Sequence, residues 1–253
     1  MFELNAIRVH RNGRNILDID SLQLDTDSFT LLLGHNGSGK STLLNLLARQ
    51  TTPDEGTVQF NGVPLSSLKQ RQLAREIAYL PQHLPEAPGL TVKELVRLGR
   101  FPWRGLLGRY TPKDTQTINH AIEQTGVTGF ADTLVDQLSG GERQRAWIAM
   151  LLAQESPLLI LDEPTAALDL AHQYELLSML KNLHVQHNRG VILVLHDINL
   201  ALRFASQVIA LKEGYPAFQG DIAQFADQQS LSDLFNIHLE LLERDNHKVA
   251  IVC

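Results

Sequence analysis

The 253-residue sequence predicts an α/β fold with a mostly parallel sheet, an N-terminal antiparallel β subdomain and an all-α insertion. Three observations predict it. Phe29-Thr30-Leu31-Leu32-Leu33, Leu158-Leu159-Ile160-Leu161 and Val191-Ile192-Leu193-Val194-Leu195 are short, nearly all-apolar runs, as expected of strands covered on both faces. The glycine-rich stretch from Gly34 to Thr42 follows the first run and precedes the apolar Leu43-Leu44-Asn45-Leu46-Leu47-Ala48, giving a strand–loop–helix unit. From about residue 90 to about residue 155 the pattern is helical, with no convincing strand.

Taken in order, residues 2–9 alternate weakly through Phe2, Leu4, Ile7 and Val9 and suit a strand. Asn12-Gly13 is a hairpin turn signal, and Ile16 to Leu24 forms a second strand region. Gly34, His35, Asn36, Gly37, Ser38, Gly39, Lys40, Ser41 and Thr42 then fit G-x-x-x-x-G-K-[ST] at every fixed position. The glycines let backbone N–H groups converge on an anion, and the helix behind them adds free N–H groups and the positive end of its dipole. Lys40 reaches terminal phosphates, and the Ser41 hydroxyl suits Mg²⁺. A glycine-rich turn with an exposed lysine is the plain alternative; the flanking strand and helix argue against it. Pro53-Asp54-Glu55-Gly56 is a turn, Thr57 to Phe60 a strand closed by Asn61-Gly62, and residues 67–76 a helix. Ile77 to Leu80 is a short buried strand stopped by Pro81. Gln82 follows at the strand's C-terminal end, where α/β sheets place ligands; an ordinary loop glutamine is the alternative.

Thr91-x-x-Glu94 is a capping box opening a helix through Arg100. Phe101-Pro102-Trp103 and several glycines break it, and Thr111-Pro112-x-Asp114 opens another. Leu138, Ser139, Gly140, Gly141, Glu142, Arg143 and Gln144 lead into a further helix. Ser139 and Glu142 again have capping-box spacing, which explains them without a ligand. The two glycines between them have poor helix propensity, yet they leave bare backbone where an anion could approach. The strand from Leu158 to Leu161 ends in Asp162-Glu163-Pro164. Carboxylates at the end of a buried strand are expensive unless they face a cation or water. Asp162 is placed to hold Mg²⁺ through its hydration shell and Glu163 to polarise an attacking water; two solvent-facing turn acids are the alternative. Ala166-Ala167-Leu168-Asp169 is a short loop before a helix to about His187. Val191 to Leu195 carries His196-Asp197 at its end, where a histidine bonds a γ-phosphate or serves the structure. Val208 to Leu211 is another strand, followed by a small helix from Ser230 to Phe235 and a short apolar end from Val249 to Val252.

Net charge is -6 with a pI near 5.9, so no basic footprint marks nucleic acid as a partner. The one cysteine, Cys253, cannot form an internal disulfide, which fits a reducing compartment. The first residues lack the basic region and apolar core of a signal peptide. No apolar run approaches the roughly 18–20 residues that span a bilayer. The expectation is a soluble cytosolic chain whose membrane role, if any, runs through a partner.

The motifs arrive in a fixed order: phosphate loop, glutamine, LSGGERQ, an apolar strand ending in DEP, ALD, histidine. That order resembles the ATP-binding subunit of ABC transporters over residues 1–220, an ABC ATPase fold on a P-loop NTPase core. The resemblance implies one such domain over 1–253 with a helical subdomain at 90–155, and ATP and Mg²⁺ as cofactors. It implies that Gly37, Gly39, Lys40, Ser41 and Thr42 bind phosphates and Mg²⁺ while Ser139, Gly140 and Gly141 of a second copy grip the γ-phosphate. Glu163 would act on the attacking water and His196 would organise it. Gln82 would sense the nucleotide and report to a membrane subunit; Ser41, Gln82 and Asp162 would hold Mg²⁺. Asp169 would link the two subunits. Members usually stack adenine on an aromatic residue, and that position falls here at Arg11, whose guanidinium plane can stack instead.

Within the family, Tyr79-Leu80-Pro81-Gln82, the segment Gly99 to Tyr110, GERQRAWIAML and Leu195-His196-Asp197-Ile198-Asn199 resemble importers of iron–siderophore complexes, closest to the ferric hydroxamate uptake ATPases. This implies a homodimer on the cytoplasmic face of a bacterial inner membrane. The dimer would be attached to an integral permease and served indirectly by a periplasmic siderophore-binding protein. Importers of cobalamin, haem or a metal ion, and a soluble ABC protein without a permease, are the alternatives.

Overall fold

The computed structural model describes residues 1–104, 108–244 and 247–253. Two long antiparallel strands open the chain, β1 (Phe2–Arg11) and β2 (Arg14–Leu24). They meet at Asn12-Gly13, where both residues take positive φ, as a tight hairpin needs. Next come β3 (Phe29–Leu33), α1 (Lys40–Leu47), β4 (Glu55–Phe60), β5 (Val63–Pro64), α2 (Gln70–Glu76) and β6 (Ile77–Leu80). The helical stretch holds α3 (Val92–Leu98), α4 (Phe101–Arg104), α5 (Pro112–Gln124) and α6 (Gly140–Ala153). Then follow β7 (Leu158–Leu161), α7 (Leu170–His187), β8 (Gly190–Val194), α8 (Ile198–Phe204), β9 (Gln207–Lys212) and β10 (Tyr215–Asp221). The chain closes with α9 (Ile222–Phe225), α10 (Gln228–Phe235) and a hairpin of β11 (Leu239–Arg244) with β12 (His247–Val252).

The N-terminal sheet has the order β2-β1-β4-β5 and is antiparallel. The central sheet has the order β10-β9-β3-β8-β7-β6. It is parallel from β6 to β9, with β10 antiparallel at one edge. Its parallel strands are apolar on both faces because each face covers a different core. Leu31, Leu33, Leu159, Leu161, Val191, Leu193, Val208 and Ala210 pack with the helices α3, α5, α6 and α7. Their neighbours Leu32, Leu158, Ile160, Ile192, Val194, Ile209 and Leu211 pack with α1 and the antiparallel sheet. Strand side chains alternate between faces, so two cores require an unbroken apolar run.

Thr91 and Ser139 each cap a helix with a reciprocal capping box, as their spacing predicts, and Thr111 does so with Asp114 at the helix start expected there. Two readings need correction. The helix expected to run through Arg100 ends at Leu98, and Phe101-Pro102-Trp103, at the expected break, forms the separate short α4, with Pro102 early in the turn, where its missing N–H is tolerated. The helix expected over residues 67–76 begins at Gln70, because Leu65–Ser67 is a 3-10 turn and Lys69 is extended. The strand β10 and the helix α8 had no sequence signal of their own. Of the segment Gly99 to Tyr110, residues Gly105, Leu106 and Leu107 lie outside the described residues.

Arg100 locks the helical stretch together. It is buried, and its Nε donates to Asp114 Oδ1 at 2.8 Å. Its guanidinium also donates to the Ala153 carbonyl at 2.8 Å and to Glu155 at 2.6 Å. Burial works against the charge on Asp114, but the backbone N–H and hydroxyl of Thr111 and the Arg100 guanidinium hold its pKa down at about 2. The C-terminal elements are packed as well: Leu231, Leu234 and Leu239 join the helix-side core. Phe235 meets the His35 ring edge-on at 5.8 Å, and Asn199 exchanges two hydrogen bonds with the backbone of Ala250.

Candidate functional site

Four neighbouring strands of the central sheet, β3, β8, β7 and β6, carry the predicted residues at their C-terminal ends. Gly34 to Gly39 follow β3, His196 follows β8, Asp162 and Glu163 follow β7, and Gln82 follows β6. The ladders are level: Leu80 pairs with Leu161, Leu161 with Leu193, and Val194 with Leu32. Residues dispersed over more than 160 positions of sequence therefore surround one cavity of about 390 Å³. It is lined by Asn36, Gly37, Gly39, Lys40, Ser41, Thr42, Gln82, Glu163 and His196, together with Ile16.

The loop's shape depends on its glycines. Gly34 has φ +139°, and a Cβ there would lie 2.2 Å from the Leu211 carbonyl oxygen. Gly39 caps α1 at φ +100°, pressed against Ile16 and Leu17. Lys40 is buried, and its Nζ donates to the carbonyls of Gly34 and His35, each at 2.8 Å. Burial lowers its pKa, while Glu163 and Asp162 favour its charge. Ser38 Oγ is buried without a hydrogen-bond partner. A glycine-lined cradle, a curled-back lysine and an orphaned hydroxyl fit a polyphosphate. The His35 ring meets Phe235, and His35 is not among the residues that line the cavity.

Ser41 Oγ donates to Asp162 Oδ1 at 3.2 Å. Asp162 is buried, which raises its pKa; Glu163 adds to the rise, while Ser41, Lys40 and His196 oppose it. A buried carboxylate beside a serine hydroxyl, both oxygen donors, suits a hard divalent cation such as Mg²⁺. Glu163 stands at φ +51°, a left-handed conformation unusual for a non-glycine residue. From there Gln82 Nε2 donates to its Oε2 at 2.8 Å, and His196 Nε2 lies 2.6 Å from its Oε1. One carboxylate thus gathers the other two candidate catalytic side chains.

The remaining predicted residues lie elsewhere. Ser139 caps α6, and Glu142 Oε2 accepts from the Ser139 N–H at 2.8 Å and hydroxyl at 2.7 Å. Leu138 and Gln144 are buried. Gly140 and Gly141 face Ala167 and Leu168, the loop that leads to Asp169. Asp169 caps α7, accepting from the His172 N–H at 2.9 Å. None of these lines the cavity among the described residues. Arg11 does not line it either; it is exposed, donating to the His10 carbonyl and lying 3.5 Å from Asp54.

Two residues of the site escaped sequence reading. Ile16 is the N-terminal sheet's contribution to the lining. Gly214 donates its N–H to the Ser38 carbonyl at 3.2 Å and so braces the loop from the β9–β10 turn. Ile16 reads as one more apolar strand residue, and Gly214 as one more turn glycine.

Comparison with known proteins gives consistent results. The family model for the ABC transporter matches residues 17–166. The achromobactin transport ATP-binding protein of Dickeya dadantii is 43% identical over 231 residues, 91% of this chain and 86% of that one. The iron(3+)-hydroxamate import ATP-binding protein of Bacillus subtilis is 41% identical over 230 residues, 90% of this chain and 85% of that one. Among solved structures, a bacterial ABC transporter cassette determined as a dimer has a TM-score of 0.79 at 29% identity. It covers 88% of this chain, and 99% of that chain is covered.

Proposed function

We propose, for a chain that belongs to the ABC transporter family and is an ATPase of it, that it powers the import of iron–siderophore complexes. The observation that carries the catalytic reading is the meeting of Gln82, Glu163 and His196 beside the phosphate cradle. Asn36 to Thr42 hold the phosphates of ATP. Lys40 exchanges its two loop carbonyls for phosphate oxygens. Ser41, Gln82 and Asp162 would hold Mg²⁺, which would supply charge neutralisation at the phosphate oxygens. Glu163 orients and deprotonates the attacking water, and His196 positions that water against the γ-phosphate. The acceleration comes from positioning and charge stabilisation.

The site is half of a pair. Ser139, Gly140 and Gly141 form a helix start suited to an anion, yet they lie outside this chain's own cavity. A second copy brings its α6 N-terminus to the phosphates held here, and Asp169 lies at the seam. Arg11 is the candidate base contact from the edge of the N-terminal sheet. Among the described residues no helix is long and apolar enough to cross a membrane. On the import reading the chain sits on the cytoplasmic face and couples to the bilayer through an integral permease. Periplasmic delivery of the cargo follows from the import reading.

For cargo, ferric hydroxamates are the first class to test, on the likeness carried by residues 99–110 and 141–151. The two relatives transport different chelates at 43% and 41% identity, which supports the siderophore group above any single chelate. Deleting the chain should abolish growth on a ferric hydroxamate as sole iron source. Loss confined to cobalamin or haem use would overturn the cargo and leave the ATPase reading intact. For the catalytic reading, Glu163→Gln should keep ATP binding and lower turnover by about 10²-fold or more. Turnover near wild type would reject Glu163 as the water-activating group.

A further inference from the structure

His238, Glu240 and Cys253 stand together at the open end of the C-terminal hairpin. The strand geometry explains why. Leu239 is buried in the helix-side core and Leu241 packs against it, so His238 and Glu240, on either side of Leu239, point to the opposite, outer face. The ladder pairs Leu239 with Val252, which sets Cys253 opposite His238; the Cys253 N–H donates to the His238 carbonyl at 3.1 Å. Directly opposed residues share a face. An imidazole, a carboxylate and a thiol therefore converge, with one donor atom of each lying within 4.8 Å of the others, and all three residues are exposed.

We propose that His238, Glu240 and Cys253 form a three-ligand site for a thiophilic divalent cation of the Zn²⁺ class. An outward strand face is ordinarily polar, which accounts for a histidine and a glutamate. It does not account for the chain's one cysteine placed opposite that histidine. Tetrahedral Zn²⁺ with bonds of about 2.0–2.3 Å separates its donors by roughly 3.3–3.8 Å. Rotation of exposed side chains closes the remaining gap without moving the backbone. Thiolate with imidazole selects Zn²⁺ over Mg²⁺ or Ca²⁺, and three protein ligands leave a position for water. Coordination forms the metal–sulfur bond and sends the thiol proton to solvent. The proposal stands independently of the ATPase reading.

The test uses the full chain, stripped with chelator and carrying no histidine tag, titrated with Co²⁺. The expected result is a near-ultraviolet sulfur-to-cobalt band saturating at one Co²⁺ per chain and displaced by Zn²⁺. With one cysteine in the sequence, the band reports Cys253 alone. Cys253→Ser should remove it, and His238→Ala and Glu240→Ala should each weaken Co²⁺ affinity about tenfold or more. Saturating MgATP should leave the band in place, separating this site from the nucleotide cavity. No band at excess Co²⁺ overturns the proposal. So does a band whose affinity neither His238→Ala nor Glu240→Ala changes.

Discussion

At Gly34 a methyl group has nowhere to go. Its Cβ would overlap the Leu211 carbonyl and fall 2.7 Å from Ser38 Oγ, and the residue's φ of +139° disfavours any side chain. Gly34→Ala should destabilise the protein by about 1–3 kcal/mol and weaken ATP binding through the distorted loop. Gly13→Ala is the control. It also has positive φ, but nothing lies within 4 Å of its added Cβ, so about 1 kcal/mol of strain should appear without loss of ATP binding. Urea denaturation and nucleotide titration on both variants check this; equal effects on ATP binding would show that Gly34 has no special place in the loop. The loop was legible in the sequence because its chemistry depends on contiguous residues. Ile16 and Gly214 were not, because each acts on the site only through the approach of another part of the chain.

Elements were legible where a local signal coincides with burial. The capping boxes at Thr91, Thr111 and Ser139 and the strands with two covered faces are of this kind. The edge strand β10 carries Pro216 and Gly220 and alternates between exposed and half-buried residues, so it lacks a continuous apolar run. The helix α8 is short, and its start depends on Asp197, whose carboxylate accepts from the Asn199 and Leu200 N–H groups, in a stretch that also reads as loop. The expected catalytic contacts were legible as residue types at strand ends, while the pairing of both Gln82 and His196 with Glu163 needed the sheet order. Among helices, the buried Arg100 cluster makes a separate prediction. Arg100→Ala leaves Asp114 charged and buried without its cation, held by Thr111 alone, and should destabilise by about 3–5 kcal/mol. The Asp114 carboxyl has its pKa lowered from 3.8 to about 2. Its contribution is therefore complete above the ordinary value and is lost as pH falls through about 2. Denaturant midpoints of wild type and Asp114→Asn should differ at neutral pH and converge in acid. A gap that widens in acid would contradict this sign.

For the whole molecule, the proposed sharing of each site between two copies would make two defective chains complementary. Glu163→Gln disables the half-site on its own chain, whereas Gly141→Asp blocks the α6 start offered to the other. A mixed dimer then has one site with both defects and one with neither. Equimolar mixing of inactive chains should restore about a quarter of wild-type ATPase activity, given random pairing and independent sites. No recovery would mean that the two elements do not meet across a dimer. The sheet order also has a consequence for the growing chain on the ribosome. The strand that bears the phosphate loop, β3, has β8 and β9 as its sheet neighbours, and both are translated long after it. Until residues 190–212 emerge, β3 has neither lateral ladder, and the Ser38 carbonyl of the loop behind it still lacks the Gly214 N–H of the β9–β10 turn. Synthesis runs at roughly 5–20 residues per second, so the nascent chain carries an unfinished nucleotide cradle for many seconds. ATP should therefore bind only chains long enough to include that turn, which makes nucleotide capture a late event in the life of each new molecule.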